Sequence, residues 1–182
     1  MHELGGVGSR TGGEGFVPVV TLRRVDAADA EGIRDFYAGL SAESRMRRFM
    51  KRTNGISPAR SRAYSAVDHL QSEGFVAVLR TAGPDDGRIV GHVCMDRAAQ
   101  GAAELAIAVA DEFQGRGLGG RLVEVALRWA RARGLHRIVA TACADNRAVL
   151  HLLRSAPSGA RIWPAEGGLV DVEIAIPADL TA

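Results

Sequence analysis

The pattern of apolar and polar residues predicts a strand and a long helix in the middle of the chain. Residues 104–110 alternate between larger apolar residues at odd positions and small or polar residues at even ones, the two-residue period of a strand. A glycine-rich turn follows, and from Leu118 the apolar residues recur at the spacing of one helical face. Arginines crowd the last turn before Gly134, which favours a helix end there.

The rest of the chain predicts a series of shorter elements. Strands are expected at Val17–Val25, Glu73–Arg80, Arg88–Asp96, His136–Ala142, Ala160–Trp163 and Leu169–Pro177. Helices are expected to begin at Asp26 or Asp29, at Ser41, at Ser57 (extending to Leu70) and at Asp145 or Asn146, the last ending before Pro157. No repeat or linker interrupts the series, so we expect a single domain over residues 16–182 after a flexible tail at residues 1–15.

The glycine turn is a candidate anion site. The first amides of a helix have no partner within the helix, and glycines let a ligand approach the backbone closely. A strand that leads into a glycine-rich helix start can therefore bind phosphate through its backbone, with Arg116 and Arg121 adding positive charge. The turn lacks the Gly-Lys-Ser/Thr of a P-loop and the spacing of a dinucleotide GxGxxG motif, which argues against an ATP or NAD enzyme.

The spacing Gln114-x-x-Gly117-x-Gly119 resembles the Arg/Gln-x-x-Gly-x-Gly/Ala signature of the GNAT superfamily of N-acetyltransferases. The resemblance implies an α+β fold of three layers, a mixed, mostly antiparallel sheet of about seven strands with helices on both faces. It implies acetyl-CoA as co-substrate, with the pantetheine arm beside Ile107, Ala108 and Val109. The diphosphate would bind the backbone of the turn, at Gln114, Gly115, Arg116, Gly117, Leu118, Gly119 and Gly120.

Glu104 is the candidate general base, because resembling proteins often place a glutamate near the start of this strand. Ala106, Ala108 and Ala110 share its face, and an apolar cleft there would raise the pKa of the carboxyl. The alternative is a solvated glutamate at a strand end.

Two further residues and the identity of the general acid have two interpretations each. Asn146 is either a cofactor contact or only a helix cap. A tyrosine often found in resembling proteins is replaced by Leu153, so that water or Ser155 would protonate the leaving thiolate. His92 is expected to be structural, the alternative being a place in the acceptor pocket.

The acceptor is a primary amine whose identity the sequence leaves open. Leu40–Phe49 resembles a stretch of bacterial protein-lysine acetyltransferases, yet a small-molecule amine fits as well. A catalytically weak acetyl-CoA sensor is the alternative function.

Composition excludes several other classes. The 182 residues carry a formal net charge of +2 with the charges scattered, which does not indicate a nucleic-acid-binding protein. Two cysteines, Cys94 and Cys143, are expected to be buried free thiols. No clustered ligand spacing predicts a metal, and no apolar run predicts a membrane span. We expect a cytoplasmic enzyme, with a homodimer through a sheet edge as a possible assembly.

Overall fold

The computed structural model describes residues 19–176. Its seven strands are β1 (Val19–Arg24), β2 (Ser72–Arg80), β3 (Ile89–Ala98), β4 (Ala102–Val109), β5 (Arg137–Cys143), β6 (Arg161–Pro164) and β7 (Leu169–Ala175). Its five α-helices are α1 (Ala30–Gly39), α2 (Ala42–Phe49), α3 (Pro58–Ser65), α4 (Leu118–Ala132) and α5 (Arg147–Arg154). The predicted tail at residues 1–15 lies outside the described residues, as do the first two residues of the predicted strand Val17–Val25 and Pro177.

The strands form one sheet in the order β1-β2-β3-β4-β5-β7-β6. Every neighbouring pair is antiparallel except β4 and β5. Two parallel neighbours need a long crossover, and α4 provides it. The expected mixed, mostly antiparallel sheet of seven strands is therefore confirmed.

Helices cover both faces of this sheet. On one face α4 packs closely: a Cβ atom added to Gly91 of β3 would lie 3.1 Å from Leu122 Cδ1 of α4. On the other face Tyr37 of α1 is fully buried and its hydroxyl lies 2.9 Å from Nδ1 of His92 on β3. His92 and Gly91 are consecutive in β3, so their side chains point to opposite faces. The three-layer arrangement follows from this alternation.

Most helices begin at the side-chain caps that the sequence indicates. Ser41, Ser57 and Asn146 each accept a hydrogen bond from the amide three residues later. The prediction for α3 was too long, because the helix ends at Ser65 and not at Leu70. The Asp68 carboxylate accepts the amides of residues 70, 71 and 72 at 2.8–2.9 Å, which holds that segment in a turn leading to β2.

Both cysteines are buried free thiols, as expected. Cys94 lies on β3 opposite Ala106 of β4, and Cys143 is the last residue of β5.

Candidate functional site

A gap opens between the two parallel strands at the centre of the sheet. Pairing of β4 with β5 covers only Ala102–Glu104 against Arg137–Val139, although both strands continue. The Ala110 amide donates to Val90 on the β3 side, so alternate residues of β4, including Ile107 and Val109, direct their backbone groups toward the gap. An extended ligand can therefore pair with this edge of β4.

The glycine turn lies at the open end of the gap. A short 3₁₀ turn over Asp111–Phe113 leads into it, and α4 begins at Leu118. Gly115 and Gly117 have φ angles of 69° and 80°, a left-handed backbone that glycine adopts without strain. In residues 19–176, no atom other than those of the chain neighbours and the α4 backbone lies within 4 Å of a Cβ position at Gly115, Gly117 or Gly120. The amides of the first turn of α4 are therefore open to a ligand from this side.

Gln114 supports the turn with its side chain. Its Nε2 donates to the Val109 carbonyl at 3.0 Å and to Ser44 Oγ at 3.2 Å. The side chain therefore braces the turn against the end of β4 and the start of α2. Any contact of Gln114 with a phosphate would come from its backbone.

Gly119 serves packing inside the fold. A Cβ atom there would lie 2.9 Å from Leu152 Cδ2 of α5. This glycine lets α4 and α5 approach each other, and a side chain at this position would have to displace the end of the Leu152 side chain.

The two arginines near the turn lie toward edge strand β1. Arg116 and Arg121 line a pocket of about 240 Å³ together with Val20, Phe113 and Leu118. Arg121 donates to the Val20 carbonyl at 3.2 Å, and the Arg116 guanidinium lies 5.8 Å from the centre of the Phe113 ring. Both positive charges remain close to the start of α4, as the sequence suggests.

Glu104 lies where the β4–β5 pairing ends, opposite Val139 on β5 and Asp96 on β3. Its residue is exposed, so the apolar cleft that we expected around the carboxyl is absent. Ala106 and Ala108 on the same face are only partly buried. The small side chains leave room beside the strand, and the carboxylate is open to solvent.

Asn146, Leu153 and Ser155 all have roles within the fold. The Asn146 side chain accepts the Val149 amide at 3.2 Å, so it caps α5 at the far side of the gap. Leu153 is buried, and the Ser155 hydroxyl donates to the His151 carbonyl at 2.9 Å. That hydrogen bond makes Ser155 a poor general acid.

His92 is a structural residue. It is fully buried against Tyr37, and burial together with the nearby charge of Arg48 lowers its pKa to about 3. A histidine that stays neutral at physiological pH and has no exposed surface does not line an acceptor pocket.

A carboxylate that sequence reasoning missed connects the start of α2 to the glycine turn. Asp111 accepts the Ser41 amide at 2.9 Å, the Ser41 hydroxyl at 2.8 Å and the Ser44 hydroxyl at 2.7 Å. Partial burial raises the pKa of Asp111, but these hydrogen bonds outweigh it and lower the pKa below its usual value. The partners are about 70 residues apart in the chain, and the sequence carries no signal that pairs them.

Within the described residues, no group of three or more histidine, cysteine or carboxylate side chains could hold a metal ion. None of the helices between residues 19 and 176 is long and apolar enough to span a bilayer.

Comparison with known proteins gives consistent matches. The family described as Acetyltransferase (GNAT) matches residues 42–156. An acetyltransferase of Pseudomonas aeruginosa is 31% identical over 137 residues, which cover 73% of this chain and 71% of that protein.

Solved structures give the same architecture. The GNAT domain of a Streptomyces lividans protein, PAT, superposes with a TM-score of 0.75 at 25% identity, covering 88% of this chain and 96% of that domain. A phosphinothricin acetyltransferase from Sinorhizobium meliloti, solved in complex with acetyl-CoA, has a TM-score of 0.67 at 18% identity, covering 86% of this chain and 88% of that chain. The second likeness concerns the fold alone.

Proposed function

The chain belongs to the GNAT family of acetyltransferases, and from this premise we propose that it transfers the acetyl group of acetyl-CoA directly to a primary amine. The observation that carries the proposal is the gap between β4 and β5, which leads from the open glycine turn to Glu104. Acetyl-CoA is the co-substrate of such a transfer. The acceptor is a protein lysine or a small-molecule amine.

The unpaired edge of β4 and the glycine turn offer one continuous path for the cofactor. A diphosphate at Gly115–Gly120 would accept hydrogen bonds from the open amides of the turn. Pantetheine would extend back along Val109 and Ile107 and pair with their backbone groups. The four residues from Val109 to Leu105 span about 13 Å. The thioester would then lie near the point where β5 rejoins β4, on the side of Glu104.

The residues of this site have separate roles in the reaction. Glu104, directly or through a water, takes one proton from the acceptor ammonium, so that the free amine can attack the thioester carbon. A backbone amide of β4 that faces the gap closer to Glu104, such as that of Ile107, stabilises the oxyanion. As the C–N bond forms and the C–S bond breaks, the second amine proton passes through water to the thiolate. The products are the acetamide, coenzyme A thiol and the proton on Glu104.

Replacement of Glu104 by glutamine tests this assignment. Removing a general base lowers turnover by about 10²–10⁴-fold, so we expect a large fall in kcat with little change in the dissociation constant for acetyl-CoA. The matched control is Asp96→Asn, which removes the carboxylate on the opposite strand whose partner is Ser72. A Glu104→Gln enzyme with the turnover and pH–rate profile of the unaltered protein would remove Glu104 as the base.

A sensor that binds acetyl-CoA without turnover is the second candidate. The exposure of Glu104 and the buried leucine at position 153 favour it. Steady-state release of coenzyme A thiol with a panel of amines separates the two functions. Tight acetyl-CoA binding with no thiol release from any amine would support the sensor and reject the transferase.

A further inference from the structure

One arginine of α2 is enclosed by aromatic rings beside the proposed transfer site. The guanidinium carbon of Arg48 lies 5.7 Å, 5.0 Å and 5.8 Å from the ring centres of Tyr37, Phe49 and Tyr64. Its Nη2 also lies 3.4 Å from Tyr64 Oη and 3.4 Å from Cys94 Sγ. The side chain therefore lies over β3, on the face that α1 and α2 cover.

The positive charge of Arg48 has no counter-charge in residues 19–176. No carboxylate of that range lies within 4 Å of it, and its buried Nε has no hydrogen-bond partner. Tyr37 and Cys94 do not supply a negative charge either, because burial raises the pKa of both groups. Cation–π contacts compensate only part of the cost of burying a guanidinium.

Two other arginines of the same helix have partners within the fold. Arg47 pairs with Glu43 at 2.7 Å. Arg45 donates to the carbonyls of Thr53 at 2.9 Å and Ala38 at 2.8 Å. Among the arginines of α2, Arg48 is therefore the one with neither a carboxylate nor a carbonyl partner, although Arg45 also lacks a carboxylate partner and the Nε of Arg47 also lacks a hydrogen bond.

The position of Arg48 relative to Glu104 indicates what kind of group would neutralise the charge of the guanidinium. Its contact residue Cys94 pairs across the sheet with Ala106, and the next pair on the same face is Asp96 with Glu104. Two residues along a strand correspond to about 7 Å. An anionic group bound to Arg48 would therefore lie one short molecule away from the carboxylate assigned as the base.

We propose that the acceptor is a small amine that carries a carboxylate, such as an amino acid, and that Arg48 binds this carboxylate. A guanidinium offers two parallel N–H donors to a carboxylate, which adds orientation to charge neutralisation. The ammonium of the same molecule then faces Glu104 and the thioester. The inference rests on the proposed transferase function and narrows the acceptor from any primary amine to one that also carries a carboxylate.

The experiment compares amines in pairs that differ only by the carboxylate. Each amino acid is assayed with its decarboxylated counterpart, for example lysine with cadaverine, alongside a lysine peptide with both ends blocked. Coenzyme A thiol release is measured with the full chain and with Arg48→Met, which keeps an apolar stem among the rings. Arg128→Met, which removes an arginine paired with Glu124 on an exposed part of α4, is the control.

We expect kcat/KM for the amino acid to exceed that of its counterpart by about 10- to 100-fold, the effect of one or two charge-assisted hydrogen bonds. Arg48→Met should bring this ratio close to one, mainly through KM, while Arg128→Met should preserve it. If Arg48→Met does not fold, Arg48→Lys should still reduce the ratio, because lysine lacks the bidentate geometry. A ratio close to one in the unaltered protein would overturn the inference whatever the variants do.

Equal rates for both members of each pair, or a preference for the blocked lysine peptide, would overturn the inference while leaving the transferase function intact. A ratio unaffected by Arg48→Met would make Arg48 a structural residue and would also overturn it. Failure of every amine to release thiol, despite acetyl-CoA binding, would instead reject the transferase function.

Discussion

A carboxylate placed in the glycine turn should stabilise the fold and weaken acetyl-CoA binding at the same time. Gly120 is the third residue of α4, it is exposed, and no atom lies within 4 Å of a Cβ position there. Glutamate at this position has better helix propensity than glycine and interacts favourably with the helix N-terminus. We therefore expect Gly120→Glu to increase the free energy of unfolding by about 1 kcal/mol and Tm by about 2–4 °C.

The effect on binding has the opposite sign. A glutamate carboxylate about 6 Å from a phosphate, with an effective dielectric constant of about 40, is repelled by about 1.4 kcal/mol per charge. Two diphosphate charges give about 3 kcal/mol, or a roughly 100-fold higher Kd for acetyl-CoA. Gly120→Gln is the control, because it has similar bulk and helix propensity without the charge. Gly120→Gln should raise the Kd for acetyl-CoA by much less than Gly120→Glu does.

Calorimetric titration of acetyl-CoA at low and high salt measures this difference, with thermal unfolding in parallel. The difference in Kd between Gly120→Glu and Gly120→Gln should become smaller as salt screens the repulsion. An unchanged Kd for Gly120→Glu at low salt would mean that the diphosphate does not bind at the start of α4, and the cofactor placement above would be wrong.

Two further predictions concern backbone strain and pH. Gly117→Ala and Gly134→Ala place an alanine at φ angles of 80° and 67° at opposite ends of α4. Each variant should lose about 1–2 kcal/mol of stability in urea unfolding, but only Gly117→Ala should raise the Kd for acetyl-CoA. Equal effects of the two variants on Kd would argue against a ligand at the turn. Asp29→Asn removes the partner of Arg23, whose two nitrogens lie 2.7 Å and 2.6 Å from the Asp29 carboxylate. This substitution should lower the free energy of unfolding by about 2 kcal/mol at pH 7. Burial raises the pKa of Asp29, but the hydrogen bonds from Arg23 and the Asp26 amide lower it below the unfolded value; the stabilisation is therefore present above about pH 4 and is lost as pH falls through the folded pKa. Urea unfolding should show a smaller difference in the free energy of unfolding between the unaltered protein and Asp29→Asn at pH 3 than at pH 7. The same difference at both pH values would contradict the role of this ion pair.

Local patterns determined the elements and the family. Apolar periodicity, serine and asparagine caps and glycine turns each depend on residues a few positions apart. The order of the strands and helices could therefore be predicted, and most of their boundaries to within one or two residues. The exception is α3, where the Asp68 carboxylate competes for the backbone amides that a longer helix would use. The spacing Gln114-x-x-Gly117-x-Gly119 identified the family, which the comparisons confirmed.

The tertiary structure decided what the individual side chains do. Gln114 braces the turn against β4, Gly119 makes room for α5, Asp111 binds the start of α2, and Arg48 lies uncompensated among rings from two other segments. Each of these roles depends on partners brought together by the sheet register and by helix packing, many of them tens of residues away in sequence. Periodicity within one element carries no information about such pairs, because it records which face a residue occupies and not which residue faces it.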